Sequence, residues 1–315
     1  MLKLLVPLLL AATGAAAQDY PAREIRSVCN FAAGSGADIV VRYYSDALSR
    51  LAGKPVIVEN KPGAQGLLAT DFVAKSKPDG YTLLITPASS TLAIAPHMFK
   101  KLPFDPVKDF EPVTTLLTLS FTVAVDAAGP LRTLDELIAH LKAKPGNGFY
   151  GTQSNSGQVS AELFKAATGL KTTYVPFKVT GDAFTNLLGG NIDFMSVDST
   201  WAATMHPAKV RILAVTSAKR NSSLPDVPTL AELGMTDIDV TPWWGVVVPA
   251  GTPKPVVDRL AGWFNQVNAL PETKQFLARQ AADAFPGSPE SMAALMKTEV
   301  ERWGRYVRLA NIEPQ

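Results

Sequence analysis

The sequence predicts an α/β fold in two lobes, each a mainly parallel sheet flanked by helices, with a cleft between them. Three observations lead there. Short runs rich in β-branched and aromatic residues alternate with runs of helical periodicity, the pattern of βα units. The alternation occurs twice, over Ile25–Ile85 and again over Phe149–Thr216, and 315 residues less a leader of 17 suit two domains. A late β-like run, Trp244–Val248, offers a strand with which the chain rejoins its first sheet. Two crossings would then link the lobes, as in proteins that open and close about a hinge.

In chain order, Met1–Ala17 reads as a secretory leader: Lys3, the apolar run Leu4–Ala12, and the small-residue site Ala15-Ala16-Ala17 before Gln18. The run is too short to span a bilayer, which needs about 20 apolar residues. Ile25–Phe31 is the first strand, and the helix after it sets Val40, Tyr44, Ala47, Leu48 and Leu51 on one face. Val56–Glu59 is the second strand, followed by a helix over Leu67–Ala74, and Thr82–Ile85 is the third. All three end in loops rich in Gly, Ser or Thr, and in open α/β sheets ligands collect at the carboxyl ends of strands. Phe110–Val125 is β-prone, breaks near Thr118 and leads out of the first lobe.

The rhythm then restarts. Thr133 and Glu136 form a capping box for a helix to Ala143, and Phe149-Tyr150 leads through Gly151–Gly157 to a helix with Leu163, Phe164 and Ala167 on its apolar side. Tyr174–Phe177 leads through Lys178–Gly181 to a helix ending near Leu188, Ile192–Val197 reaches Asp198, and Arg211–Thr216 is a further strand. Pro225–Pro228 and the run to Thr241 read as an irregular return crossing, before helices beginning at Thr252 and at Ser288-Pro289. The lobe boundaries are therefore expected at residues 18–121 and 240–315 for the first lobe and 122–239 for the second.

The stretch Phe31-Ala-Ala-Gly-Ser-Gly-Ala-Asp38 organises the rest. A strand entering a Gly-rich turn and then a helix aims unpaired N–H groups and the positive end of the helix dipole at whatever lies in front, an anion site in the making. Gly34 and Gly36 are expected to tolerate positive φ, and Ser35 adds a hydroxyl. Neither a dinucleotide fingerprint nor a P-loop is met, because Ile39 stands where a third Gly is needed and no Gly-Lys-Ser/Thr follows. A plain βα turn is the other reading of the stretch.

The net charge of +2 falls to +1 without Lys3, so no nucleic-acid or membrane footprint is present. The lone Cys29 lies in the first strand and is expected to be a buried thiol. His97, His140 and His206 show no metal spacing and read as surface or capping residues; no cofactor is implied. Ser156 lacks the flanking glycines of a nucleophile elbow. Loops rich in hydroxyls and N–H donors but poor in general bases suit holding a ligand rather than transforming it, and no catalytic residue is assigned. Asp38 reads either as a first-turn carboxylate or as a ligand contact, Asp198 as an acceptor for a ligand or a tie at the hinge, and Trp243, Trp244 and Trp303 as packing.

With Val58-Glu-Asn-Lys-Pro-Gly-Ala-Gln-Gly66, Pro78-Asp-Gly-Tyr-Thr-Leu-Leu84, Leu102-Pro-Phe-Asp-Pro106, Leu187-Leu-Gly-Gly190, Ala214–Arg220, Leu224–Thr229 and Pro249–Pro253, the opening stretch Phe31–Asp38 closely resembles the solute receptors of tripartite tricarboxylate transporters, the Bug family. The resemblance runs over essentially the whole mature chain. It implies a periplasmic binding protein fold, a monomer that captures a small organic carboxylate and passes it to membrane permease subunits, and no enzyme activity.

It further implies that a carboxylate is held by backbone groups and ordered waters at Ala33, Gly34, Ser35, Gly36, Ala37 and Asp38, beside Phe31. The second lobe would add Ser154, Asn155, Ser156, Gly157, Thr180, Gly181 and Asp198. Two departures from the family pattern, Asn30 in place of Pro and Phe177-Lys-Val179 in place of Tyr-Lys-Gly, fall near that cleft.

Ser89, Ser90, Thr91 and the other loop hydroxyls outnumber cationic groups, of which only Lys178 lies in the core loops. A desolvated trianion would need more positive charge than that. The expectation is a mono- or dicarboxylate with an apolar or aromatic body near Phe31 and Phe177, and weak binding of citrate. A secreted enzyme acting on a small carboxylate, and a receptor signalling to a sensor kinase, are the alternatives.

Overall fold

The computed structural model describes residues 20–144, 146, 148–204 and 208–314; the expected leader and His206 lie outside them. The chain begins with β1 (Ile25–Cys29), α1 (Gly36–Ala52), β2 (Val56–Asn60), a 3₁₀ turn (Ala64–Gly66), α2 (Leu67–Ala74) and β3 (Thr82–Thr86). A π-turn (Ser89–Ala93) and α3 (Ala95–Met98) precede β4 (Phe110–Thr118) and β5 (Phe121–Asp126). Then follow α4 (Leu134–Ala143), β6 (Phe149–Thr152), α5 (Asn155–Thr168), β7 (Thr173–Pro176), α6 (Thr180–Leu188), β8 (Phe194–Asp198), α7 (Ser199–Thr204) and β9 (Val210–Val215). The chain returns as β10 (Trp243–Pro249), α8 (Lys254–Ala269), α9 (Pro271–Arg279), β11 (Asp283–Ala284) and α10 (Pro289–Leu309).

Two sheets result, in the orders β11-β4-β10-β3-β1-β2 and β7-β6-β8-β5-β9. In the first, β2, β1 and β3 are parallel and β10 runs against both β3 and β4. In the second, β7, β6 and β8 are parallel, with β5 antiparallel between β8 and β9. Each sheet therefore keeps a parallel half, and the return strand sits inside the first sheet.

The β-prone stretch at Phe110–Val125 is two strands in different sheets, separated at Leu119-Ser120. This first crossing lies beside the return crossing: Leu119 N donates to Pro242 O at 3.0 Å and Thr216 N to Phe121 O at 2.9 Å. The return is irregular as expected, with one parallel bridge between Val215 and Thr229. Two adjacent strands of chain, tied by backbone hydrogen bonds, are thus what any rotation of the lobes must bend.

Helix ends follow their sequence signals. Thr133 Oγ1 accepts from Glu136 N while Glu136 Oε2 accepts from Thr133 N, the reciprocal capping box. Ser288 and Ser291 make the same exchange ahead of α10. Gly53 closes α1 at φ 65°. The apolar stripe of α1 buries Val40, Tyr44, Ala47 and Leu48, but Leu51 is 37% exposed, and Ala167 of α5 is exposed too. Both lie in the last turn of their helix, and a stripe read from sequence does not say how far the partner surface extends.

Neither α7, α9, β11 nor the π-turn is foreseen in the sequence; α9 follows α8 directly across Leu270, which serves as cap to both. Trp243, Trp244 and Trp303 are buried packing residues. Cys29 is fully buried and free, and burial pushes its thiol up to about 11.

Candidate ligand-binding cleft

The parallel strands β1, β2 and β3 end together at one edge of the first sheet, and β6, β7 and β8 end together at one edge of the second. These edges meet, because Asn155 Nδ2 at the start of α5 donates a hydrogen bond to Gln65 Oε1 in the turn after β2. The loops expected to bind therefore border one space between the sheets.

On the first side, the loop from Phe31 to α1 is exposed at Ala33, Gly34 and Gly36 and half-buried at Ser35 and Ala37. Phe31 stacks on Trp244 with centroids 6.1 Å apart, and Asn60 Nδ2 donates to its carbonyl at 2.9 Å, so the ring is held at the cleft rather than free. Ser35 caps α1: its Oγ accepts from Asp38 N at 3.2 Å. The N–H groups of Gly36 and Ala37, the first two helical residues, have no acceptor among the described residues. Gly34 takes φ +80°, as its place in the turn requires, whereas Gly36 does not use the left-handed region.

Asp38 fastens the loop, in keeping with its reading as a first-turn carboxylate. Its carboxylate is 2% exposed and accepts from Arg42 Nε at 2.8 Å, Gly34 N at 2.8 Å and Asn60 Nδ2 at 2.7 Å. Burial by itself would raise its pKa; the hydrogen bonds from Arg42, Asn60 and Gly34 outweigh that and hold it below the usual carboxylate range. The Gly34 N–H is accordingly engaged within the protein.

Two other expected contacts, Ser89 and Gly157, are buried. Ser89 is fully buried and its Oγ accepts from Trp243 N at 3.1 Å, joining the π-turn to β10. Gly157 is a close-packing position: a Cβ there would meet Thr152 Oγ1 at 2.2 Å and Ser196 O at 2.9 Å. Ser and Gly serve such close approaches as readily as they serve ligands, and the sequence looks the same. Ser90 is half-buried and donates to Pro87 O at 3.2 Å.

On the second side, Ser154 caps α5 by accepting from Gly157 N at 3.1 Å, leaving the N–H groups of Asn155 and Ser156 without acceptors among the described residues. Ser156 is fully buried and its Oγ has no partner among them either. The start of α6 is barer still, since Val179 at its cap position offers no side-chain acceptor and Thr180 and Gly181 begin the helix. Val179 is 55% exposed and Phe177 half-buried beside it. Asp198 ends β8, and its Oδ1 accepts from Trp201 N at 2.9 Å. Loss of water raises its pKa against the opposing pull of the backbone N–H groups.

The cleft thus collects the unpaired N–H groups of α1, α5 and α6, three positive dipole ends. Of the cations nearest in sequence, Arg42 pairs with Asp38 and Lys61 with Glu59 at 2.6 Å, while Lys178, the one cation of the core loops, stands exposed just ahead of α6. No cluster of His, Cys, Asp and Glu among the described residues is fit to hold a metal.

Beside Asn155 and Phe177 the space widens to a cavity of about 610 Å³ whose far wall is the tail Ala310–Glu313. Sequence reading did not single out Gln65, Gln153 or Gln158, which line it. The available signal was their position: Gln65 stands between Ala64 and Gly66, and Gln153 and Gln158 flank the loop and first turn that were chosen.

The sequence model described as "Tripartite tricarboxylate transporter family receptor" matches residues 40–312. The chain is similar to Protein BugT of Bordetella pertussis, with 31% identity over 93% of this chain and 90% of that one. It is also similar in structure to an R. palustris protein solved with adipate, with TM-score 0.85, 28% identity and coverage of 94% of this chain and 100% of that one. MatC from Rhodopseudomonas palustris with bound malate superposes with TM-score 0.79, 29% identity and coverage of 91% and 100%. With this match spanning most of its length, the chain belongs to the receptor family of tripartite tricarboxylate transporters.

Proposed function

We propose that this chain is a periplasmic receptor that closes its two lobes, residues 18–121 with 240–315 and residues 122–239, on a small organic mono- or dicarboxylate. It delivers the ligand as a monomer to the membrane subunits of a tripartite transporter. The observation that carries the reading is the convergence of three helix N-termini with free N–H groups on one cleft. Such donors stabilise a carboxylate without a paired cation. Each lobe supplies part of the set, so a ligand touching both favours the closed arrangement and shifts the population toward it.

Family membership, and the adipate and malate held by two structural relatives, support the ligand class. The leader read from Met1–Ala17 supports export, and no helix among the described residues is long and apolar enough to cross a membrane. The N-termini of α1, α5 and α6 are arranged for binding rather than turnover.

The test is a thermal-shift screen of mono-, di-, tri- and aromatic carboxylates at one pH and salt, adipate, malate and citrate among them. A ligand present at 100 times its Kd stabilises the native state by about 2.7 kcal/mol. A clear rise with a mono- or dicarboxylate, and less with citrate, is expected. A flat response to every carboxylate would end this reading.

A further inference from the structure

The cavity between the lobes and the C-terminal tail differs in chemistry from the helix N-termini beside it. Five side-chain amides line it: Gln65, Gln153, Asn155, Gln158 and Asn311. An amide carries donors and an acceptor in one plane. Gln65 and Asn155 bond each other, while the amides of Gln153, Gln158 and Asn311 have no partner among the described residues. No Lys or Arg lines the space. Of its two carboxylates, Glu162 accepts from Tyr150 OH at 2.6 Å and pairs with Lys165 at 2.8 Å, and Glu313 stands exposed on the tail.

Lys165 neutralises Glu162 toward either sign, so a second carboxylate placed there would find no free cation and the charge of Glu313. An ammonium would find only Glu313, a solvated carboxylate on the exposed tail. A neutral hydrogen-bonding group meets neither difficulty. The size fits, since small-molecule sites run to roughly 300–1,000 Å³, and Tyr174 and Phe177 add ring faces at the same wall.

We infer that this cavity is a second compartment of the binding cleft, which takes the neutral amide or hydroxyl end of a ligand whose carboxylate sits at the helix N-termini. The inference rests on the carboxylate reading above. Asn155 and Phe177 belong to both spaces and join them. The ligand class narrows accordingly, from dicarboxylates in general to monocarboxylates with a polar, uncharged far end.

The test is calorimetric titration with succinate and adipate, each beside its monoamide, and with 6-aminohexanoate as the cationic probe. Wild type is compared with Gln153→Leu and Gln158→Leu, single substitutions at the start of α5 that remove a side-chain amide but no backbone N–H. For at least one chain length the monoamide should bind about tenfold tighter than the diacid or more, and each substitution should cut that ratio to about threefold or less. Diacids binding as tightly as their monoamides at both lengths, tightest binding by 6-aminohexanoate, or an unchanged ratio in both variants overturns the compartment and leaves the receptor reading standing. So does failure of both monoamides to bind when other carboxylates do. If no carboxylate binds at all, both readings fall together.

Discussion

The carboxylate of Asp38 accepts the backbone N–H of Gly34 at 2.8 Å, so the helix start holds in place the very turn that leads into it. Arg42 and Asn60 complete the arrangement around the same two oxygens. Asp38→Asn should destabilise the fold by about 1.5–3 kcal/mol at pH 7, the range for hydrogen bonds to a charged group. The folded-state pKa of Asp38 is depressed, so its contribution is present above the unfolded value near 3.9 and is lost as pH falls through the folded value. Urea unfolding should therefore show wild type losing its advantage over the variant below about pH 4; a constant gap at all pH values would deny the charge its role.

Asp198 has the opposite sign. Its folded pKa is raised, so its favourable contribution is present below the unfolded value and fades as pH rises through the folded one. Asp198→Asn keeps an oxygen for Trp201 N and removes the desolvated charge. We expect the variant to match wild type near pH 4 and to equal or exceed it at pH 8. A variant markedly weaker at pH 8 would mean that the ionised carboxylate is needed by the fold.

Gly36 and Gly34 should separate ligand approach from backbone strain. A Cβ at either position meets nothing within 4 Å, but only Gly34 sits at positive φ. Gly36→Val should fold normally and lower the affinity for the tightest carboxylate of the screen by about tenfold or more, as the new side chain crowds the free N–H groups. Gly34→Val should lose about 1–2 kcal/mol of stability through its left-handed backbone. Equal affinities for wild type and Gly36→Val would remove this turn from the site.

Ser156 carries a buried hydroxyl without a partner among the described residues. Leaving such a group unmet costs about 1–3 kcal/mol, so Ser156→Ala should be no less stable than wild type in the absence of ligand. If the hydroxyl meets the ligand, the substitution weakens binding by roughly three- to tenfold. Lower stability with unchanged affinity would make the hydroxyl structural.

Among the described residues the chain passes between the sheets twice, from β4 to β5 and from β9 to β10, and the two passages are hydrogen-bonded to each other at Leu119–Pro242 and Phe121–Thr216. Small-angle scattering should show a smaller radius of gyration at saturating ligand. Superimposable curves, with binding confirmed by calorimetry, would speak against closure about this hinge.

Local signals were legible wherever the physics is local. The capping box at Thr133, the helix start at Ser288 and the amphipathic stripes depend on neighbours within a turn or two, so they stand in the sequence, whereas Ser35 and Ser154, read there as ligand contacts, also cap α1 and α5. The βα order and the loops at strand ends followed from the same local rules. A hydroxyl or a glycine, however, carries no mark of what will surround it. Ser35 caps a helix at the cleft while Ser89 is sealed against Trp243, and Gly36 stands open while Gly157 presses on Thr152.

Local pattern and composition thus settle the two-sheet α/β architecture, most helix starts and the shortage of cations in the binding loops. Which donors remain free, and what they face, emerges from long-range packing alone. Asp38 takes the Gly34 N–H, Gln65 reaches Asn155 across 90 positions of chain, and the tail at Ala310–Glu313 comes to rest beside the second sheet's loops. The reason is that partnership between distant residues depends on how whole elements pack, and packing free energy belongs to surfaces that no local window contains.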